Sequence, residues 1–198
     1  MKKNIFIIIE LVIIIILVIM LILQYNEDNI LKYDKEIEKK WLIRQEDIPY
    51  DLSKAEKYEI VQTYLNFSPE IRVRNINNDE YVLTIKCDTA LKGLVREEHE
   101  WLISREEYEH LLTKQEGNTI TKTRYRFVDD NGMEMEIDIF SGDLVGLAYL
   151  EIEFIDTESS EKYGNPDWTI KDVTTDLSYK NGHLARYGIP KSYFEYIK

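Results

Sequence analysis

The chain has 198 residues with 37 acidic against 25 basic side chains, a net charge of −12, and a single cysteine. That balance opposes non-specific binding to nucleic acid or to anionic lipid, so a polyanionic ligand would need local basic residues or metal ions. The lone Cys87 excludes an internal disulfide, and no Cys/His cluster has zinc spacing.

Residues 5–23 are continuously apolar apart from Glu10. At about 1.5 Å per helical residue they match a hydrocarbon layer roughly 30 Å thick, and the segment is expected to be a transmembrane anchor. A secretory signal peptide is the alternative, but the run is long and no small-x-small cleavage site follows it. Lys2 and Lys3 precede the helix in the 1–4 flank and the next basic residue is Lys32, a bias that places the N-terminus inside and the domain outside the cell membrane. Residues 24–33 are polar and acidic and read as a tether, leaving 34–198 as one domain.

Within that domain eight strand-like runs follow in order: 36–43, 60–66, 71–75, 81–87, 94–103, 119–128, 133–140 and 147–155. Short turn signals at Asn77-Asn78-Asp79, Asp129 to Gly132 and Ser141-Gly142-Asp143 predict antiparallel hairpins. Residues 53–58, 104–112 and 157–163 are expected as short helices, the second capped by Ser104. No P-loop, dinucleotide or HExxH signature is present, which sets those enzyme classes aside.

Charges recur at every second position: Glu36/Glu38/Lys40, Arg72/Arg74, Arg96/Glu98/Glu100, Lys122/Arg124/Arg126, Glu134/Glu136/Asp138 and Glu151/Glu153. In a strand such residues share one face, and the opposite faces (Ile71, Val73, Leu83, Ile85, Ile137, Ile139, Leu150, Ile152, Phe154) are apolar. On any one strand this describes a half-exposed sheet with a solvated side. Mixed signs on nearly every strand fit an α+β fold: an eight-stranded antiparallel β-barrel with a charged lumen and short covering helices.

The opening EIEKKWLI at 36–43, followed in order by IRVR, YVLTIK, VREEHE, ITKTRYRF, EIDIF and LEIEF, resembles the CYTH superfamily of triphosphate tunnel metalloenzymes. Lys39 and Trp41 stand where that family more usually has Arg and Phe. The resemblance covers about 34–190 and implies a tunnel that binds a triphosphate and a divalent metal, Mg²⁺ or Mn²⁺. Carried over by motif, Glu36, Glu38, Glu151 and Glu153 are the candidate metal ligands, with Asp138 and Glu136 as additions. Oxygen ligands of this kind suit hard cations. Lys40, Arg72, Arg74, Lys86, Arg96, Lys122 and Arg124 are the candidates for gripping phosphate, with Glu36, Glu38 and Lys40 assigned to catalysis; ion pairing with the acids is the plainer role for the basic residues. Arg126 suits a rim, and Glu98 and Glu100 an orienting role.

His99, His110 and His183 have no mutual spacing for chemistry, and Tyr125, Tyr149 and Tyr179 read as packing or hydrogen-bonding residues. The tail after Asp172 carries a helix start near Asp176 that would close one tunnel mouth. The activity implied is that of a membrane-anchored, metal-dependent triphosphatase, acting on inorganic triphosphate first, with nucleoside or thiamine triphosphate possible. An adenylate cyclase of class IV type and a polyphosphate-binding sensor without turnover are the alternatives. No nucleic-acid partner is expected.

Overall fold

A computed structural model describes residues 34–88, 95–129 and 132–197, with side chains described from Ile37 onward except those of 88 and 95–97. The anchor at 5–23 and the tether at 24–33 lie outside the described residues, among which no helix is long and apolar enough to cross a membrane.

Among the described residues, alternating apolar and charged residues produce nine antiparallel strands: β1 (Asp34–Ile43), β2 (Glu56–Phe67), β3 (Glu70–Ile76), β4 (Glu80–Asp88), β5 (Val95–Leu102), β6 (Glu116–Val128), β7 (Glu134–Ser141), β8 (Ala148–Glu153) and β9 (Thr169–Asp172). Their order is β5-β4-β3-β2-β6-β7-β8-β1-β9, and β1 also pairs with β5 from Asp34↔Glu98 to Ile37↔Val95. Strand β1 therefore divides its length among three neighbours: its start lies on β5, its centre on β8 through Glu38↔Glu153 and Lys40↔Glu151, and its end on β9. The β3–β4 hairpin turns on Asn77 and Asn78, with φ of 54° and 58°. Two successive positive φ values match the right-handed twist of the flanking strands, and Asn tolerates them better than most residues.

The apolar faces are buried in two places. Trp41, Ile43, Ile137, Leu150 and Ile152 form one cluster, against which Ile48, Tyr50, Leu52, Tyr163 and Trp168 pack. Trp41 is fully buried and its indole Nε1 donates to Asn165 Oδ1 at 2.8 Å, so the ring gains apolar burial without leaving its N–H unpaired. Val73 and Tyr81 are covered by α1 (Arg105–Leu112), which contributes the buried Tyr108. That helix begins with a full capping box: the Ser104 hydroxyl accepts from the Glu107 N–H, and the Glu107 carboxylate accepts from the Ser104 N–H.

A third cluster lies at one end of the charged face, where Leu42, Tyr64, Ile120, Phe140 and Tyr149 meet Tyr179, Leu184, Ala185 and Tyr193. The last four come from the C-terminal segment, which holds a 3₁₀ turn at Leu177–Tyr179, α3 (Asn181–Tyr187) and α4 (Tyr193–Tyr196); α2 (Thr157–Lys162) precedes it in the chain. Gly117 on β6 admits this segment: a Cβ there would stand 2.8 Å from the Ala185 carbonyl oxygen, and its φ of 70° would strain any L side chain.

Two expectations are corrected. Residues 53–58 are not a helix: Asp51 caps a single 3₁₀ turn at Leu52–Lys54, and β2 begins at Glu56. Pairing of Glu56 with Arg126 and Tyr58 with Arg124 gives these residues ladder partners, which outweigh a helical stretch too short to nucleate alone. Strand β9 was not foreseen, because four residues carry too little periodicity to read.

Candidate functional site

Strand register decides which side chains share the charged face. Lys40 stands opposite Glu151, Glu38 opposite Glu153, Glu151 opposite Glu136, and Asp138 opposite both Tyr149 and Arg124. On the other half of the sheet Tyr64 faces Arg72, Gln62 faces Arg74, Arg72 faces Thr84, Glu70 faces Lys86, and Lys86 faces Glu98. Arg96 is the register partner of Glu36, two candidates whose side chains lie outside the description.

On β1, β6, β7 and β8 the charges form one network. Lys40 Nζ lies 2.6 Å from Glu151 Oε1 and 3.4 Å from Glu38 Oε1. Arg124 reaches Asp138 through Nε at 2.7 Å and Nη2 at 2.8 Å, and Glu151 at 2.5 Å. Lys122 donates to Asp138, and Arg124 also pairs with Glu136. Asp138 is completely buried and is clamped by cations on both of its oxygens. Burial works against the Lys40 charge, yet Glu151 and Glu38 outweigh it and hold the ammonium firmly protonated. Burial likewise opposes ionisation of Glu151, and Lys40, Arg124 and Lys122 overcome it, keeping the carboxyl well below the usual carboxylate range. Lys122 differs: burial and the neighbouring Arg124 push its ammonium down.

A second network spans β3, β4 and β5. Arg72 pairs with Glu70 at 3.2 Å and Glu98 at 3.3 Å, Lys86 with Glu98 at 3.1 Å, and Arg74 with Glu100 at 3.0 Å. The Thr84 hydroxyl donates to Glu100 at 2.8 Å. Glu98 and Glu100 thus anchor three of the basic candidates. The two networks sense each other: burial, Arg72 and Arg124 all depress Arg74.

Not every donor here is used up. The Nε groups of Arg72 and Arg74 are buried with no hydrogen-bond partner, as is the Tyr149 hydroxyl. A buried polar group left unpaired is destabilising by about 1–3 kcal/mol, so such donors mark a place where an acceptor belongs.

Among the described residues, which leave out the Glu36 side chain, no three His, Cys, Asp or Glu side chains come close enough to share an ion. Glu151 and Asp138 are engaged by the cations named above. Glu38 is half-buried, in reach of Lys40 and, at 3.6 Å, of Lys180, while its register partner Glu153 is exposed. Arg126 is 41% exposed at its side chain and sits against Glu134 and Glu136.

Sequence reasoning missed Glu70, Thr84 and Lys180. Glu70 extends the every-second-residue spacing of Arg72 and Arg74 by one step, a signal that was present. Nothing local marks Lys180: it lies in the C-terminal segment and reaches Glu38 only because Tyr179 and Leu184 anchor that segment in the apolar end of the face.

Two bacterial proteins are similar to this chain in sequence. An inorganic triphosphatase of Nitrosomonas europaea is 36% identical over 118 residues, covering 60% of this chain and 76% of its own length. An inorganic triphosphatase of Acetivibrio thermocellus is 34% identical over 153 residues, 77% of this chain and 94% of its own. Among solved structures, that of an inorganic triphosphatase superposes with a TM-score of 0.56 at 31% identity, covering 76% of this chain and 93% of the other. A Hippeastrum protein at 17% identity and a TM-score of 0.51, covering 64% of this chain and 82% of its own, shows a shared fold. Residues 34–167 match the CYTH domain, and the chain belongs to the CYTH domain family.

Proposed function

We propose that this protein is a triphosphatase that hydrolyses a triphosphate, inorganic triphosphate first, on the charged face of a sheet closed into a tunnel. Pairing of β1 with both β8 and β5 supports closure, because it joins β5, one end of the strand order, to the strand next to the other end. The observation that carries the functional reading is the pair of buried, unpartnered Nε–H groups on Arg72 and Arg74, aligned on one strand beside acids that already hold the same guanidinium ends. A guanidinium fixed at its terminal nitrogens and open at Nε is a preoriented donor for a phosphate oxygen. The names of the two bacterial relatives agree with this substrate class.

The donor set also fits a divalent cation. Glu36, Glu38, Glu151 and Glu153 offer only oxygen, and Mg²⁺ or Mn²⁺ needs just one or two carboxylates when substrate phosphates and water complete its shell. When bound, the ion would neutralise phosphate charge and polarise a water. The protein's own contribution is to hold the substrate. Arg72, Arg74, Lys86 and Lys122 bind phosphate oxygens, Arg124 is kept in place by Asp138 and Glu136, and Lys40, kept protonated, stands beside Glu151 to stabilise charge that develops at the reacting phosphoryl group. We further propose that residues 5–23 anchor the domain to the cell membrane, on their apolar composition alone.

The test is phosphate release by the full chain from inorganic triphosphate, ATP and thiamine triphosphate, with and without Mg²⁺ or Mn²⁺, alongside an assay for cyclic AMP from ATP. Metal-dependent release that is lost in the Glu36→Gln/Glu38→Gln double variant is expected. Full turnover in that variant refutes the assignment of β1, and cyclic AMP formation or tight binding without release refutes the hydrolase.

A further inference from the structure

We propose that the Tyr149 hydroxyl is an additional substrate-binding donor, placed at the inner end of the charged face where it meets a phosphoryl oxygen; this rests on the triphosphate reading above. Tyr149 lies on β8 two residues before Glu151, on the same face, opposite Leu42 on β1 and Asp138 on β7. It is fully buried.

Its ring has clear reasons to be there. It packs edge-on against Phe140 and Tyr179, and Lys40 Nζ stands 5.1 Å from its centroid, a cation held over an aromatic face. Every one of these contacts would be made as well by phenylalanine. The hydroxyl is what needs explaining, because it is buried and unpartnered.

The other buried tyrosines of the same cluster show that the surroundings can satisfy a phenol. Tyr64 accepts a hydrogen bond from Gln62 Nε2 at 2.9 Å, Tyr179 pairs with the Ser192 hydroxyl at 2.8 Å, and Tyr193 donates to the Gly146 carbonyl at 2.5 Å. Tyr149 departs from that pattern at a position flanked by Lys40, Glu151 and Asp138, side chains bound into the ion-pair network of the site. An O–H group stranded there lowers the stability of the ligand-free protein and is recovered when an acceptor arrives. A phosphoryl oxygen is the acceptor this face is built to receive, and a hydrogen bond to a charged acceptor is among the stronger kinds.

Function and stability should therefore respond to Tyr149→Phe with opposite signs. Thermal unfolding of the ligand-free chain in EDTA, calorimetric titration with tripolyphosphate in EDTA, and the Mg²⁺-supported KM for tripolyphosphate are compared between wild type and variant. The variant is expected to melt about 2–4 °C higher and to bind or saturate about tenfold more weakly. Unchanged affinity and KM overturn the proposal, and so does a lowered melting temperature, which would show that the hydroxyl serves the resting fold. A wild type that neither binds nor turns over tripolyphosphate removes the triphosphate reading itself and this inference with it. A wild type that does so while Tyr149→Phe matches it removes the inference alone.

Discussion

Asp138→Asn perturbs the centre of the site while preserving its shape. Asp138 is completely buried, receives Arg124 through two nitrogens at 2.7 and 2.8 Å, and also receives Lys122. Asparagine keeps one acceptor oxygen but turns an amide N–H₂ toward one of the cations, so Lys122 and Arg124 lose the carboxylate charge they share, and Arg124 keeps only Glu136 and Glu151. Removing one partner of a buried pair costs about 3–5 kcal/mol, and the retained oxygen argues for the lower end, about 3 kcal/mol. In a domain of this size each kcal/mol moves the melting temperature by about 2–4 °C, which predicts a fall of about 6–12 °C by differential scanning fluorimetry in EDTA. The uncovered cations should then favour an incoming polyanion. Tripolyphosphate is expected to restore much of the lost stability, and calorimetry in EDTA to show binding about tenfold tighter than wild type, equivalent to about 1.4 kcal/mol. Turnover should fall, because the Arg124 guanidinium, left to Glu136 and Glu151, is held less firmly. A variant melting within about 2 °C of wild type, with unaltered tripolyphosphate affinity, would refute the view that Asp138 holds the cations in place.

Two further outcomes test the same geometry. Arg72→Met removes a buried guanidinium whose Nε is unpartnered, and is expected to weaken tripolyphosphate binding by about 10- to 100-fold in calorimetry; equal affinity would mean that Arg72 serves only Glu70 and Glu98. Acid stability should track Glu151: burial raises its pKa, but Lys40, Arg124 and Lys122 bring it well below its ordinary value near 4.5. A depressed folded-state pKa adds stability that is fully present above the unfolded value and is lost as pH falls through the folded one. Melting temperatures measured downward from pH 5 should therefore drop less steeply in Glu151→Gln than in wild type, and parallel curves would contradict the assignment.

What the sequence disclosed depended on whether its signal was periodic. The charged and apolar faces of Arg72/Arg74, Lys122/Arg124 and Glu151/Glu153 were legible because a strand repeats every two residues, and one burial requirement fixes the phase of the whole segment. The α1 cap was legible because Ser104 and Glu107 are a local pair. Partner choice was not. That Arg124 bridges Asp138 and Glu151 depends on the order in which β6, β7 and β8 lie side by side, and the Lys180 contact with Glu38 depends on where a distant segment docks. Residues 53–58 failed for the converse reason: a short local helical expectation was overruled by strand pairing with β6.

On the proposed reading, a chain of net charge −12 would hold a polyanion by arranging its surplus acids in a particular way. The buried cations are not surrounded by empty space awaiting substrate. Lys40 leans on Glu151 and Glu38, Arg72 on Glu70 and Glu98, Arg74 on Glu100, and Lys122 and Arg124 on Asp138. Without those acids, several buried like charges would repel one another at close range and the resting site would not be stable. With them, the site approaches neutrality, and each cation is held in position before a phosphate arrives. On the proposed reading the acids would weaken net attraction for the substrate while fixing the direction of the donors, an exchange that would favour a transition state over mere capture. Were a divalent ion bound as proposed, Glu38 and Glu153, which are less deeply buried than Asp138, would be the carboxylates it could take without dismantling the core of the network. An ion taken up by Glu38 would release part of the hold on Lys40 as the substrate enters, so ion and triphosphate should bind with mutual reinforcement.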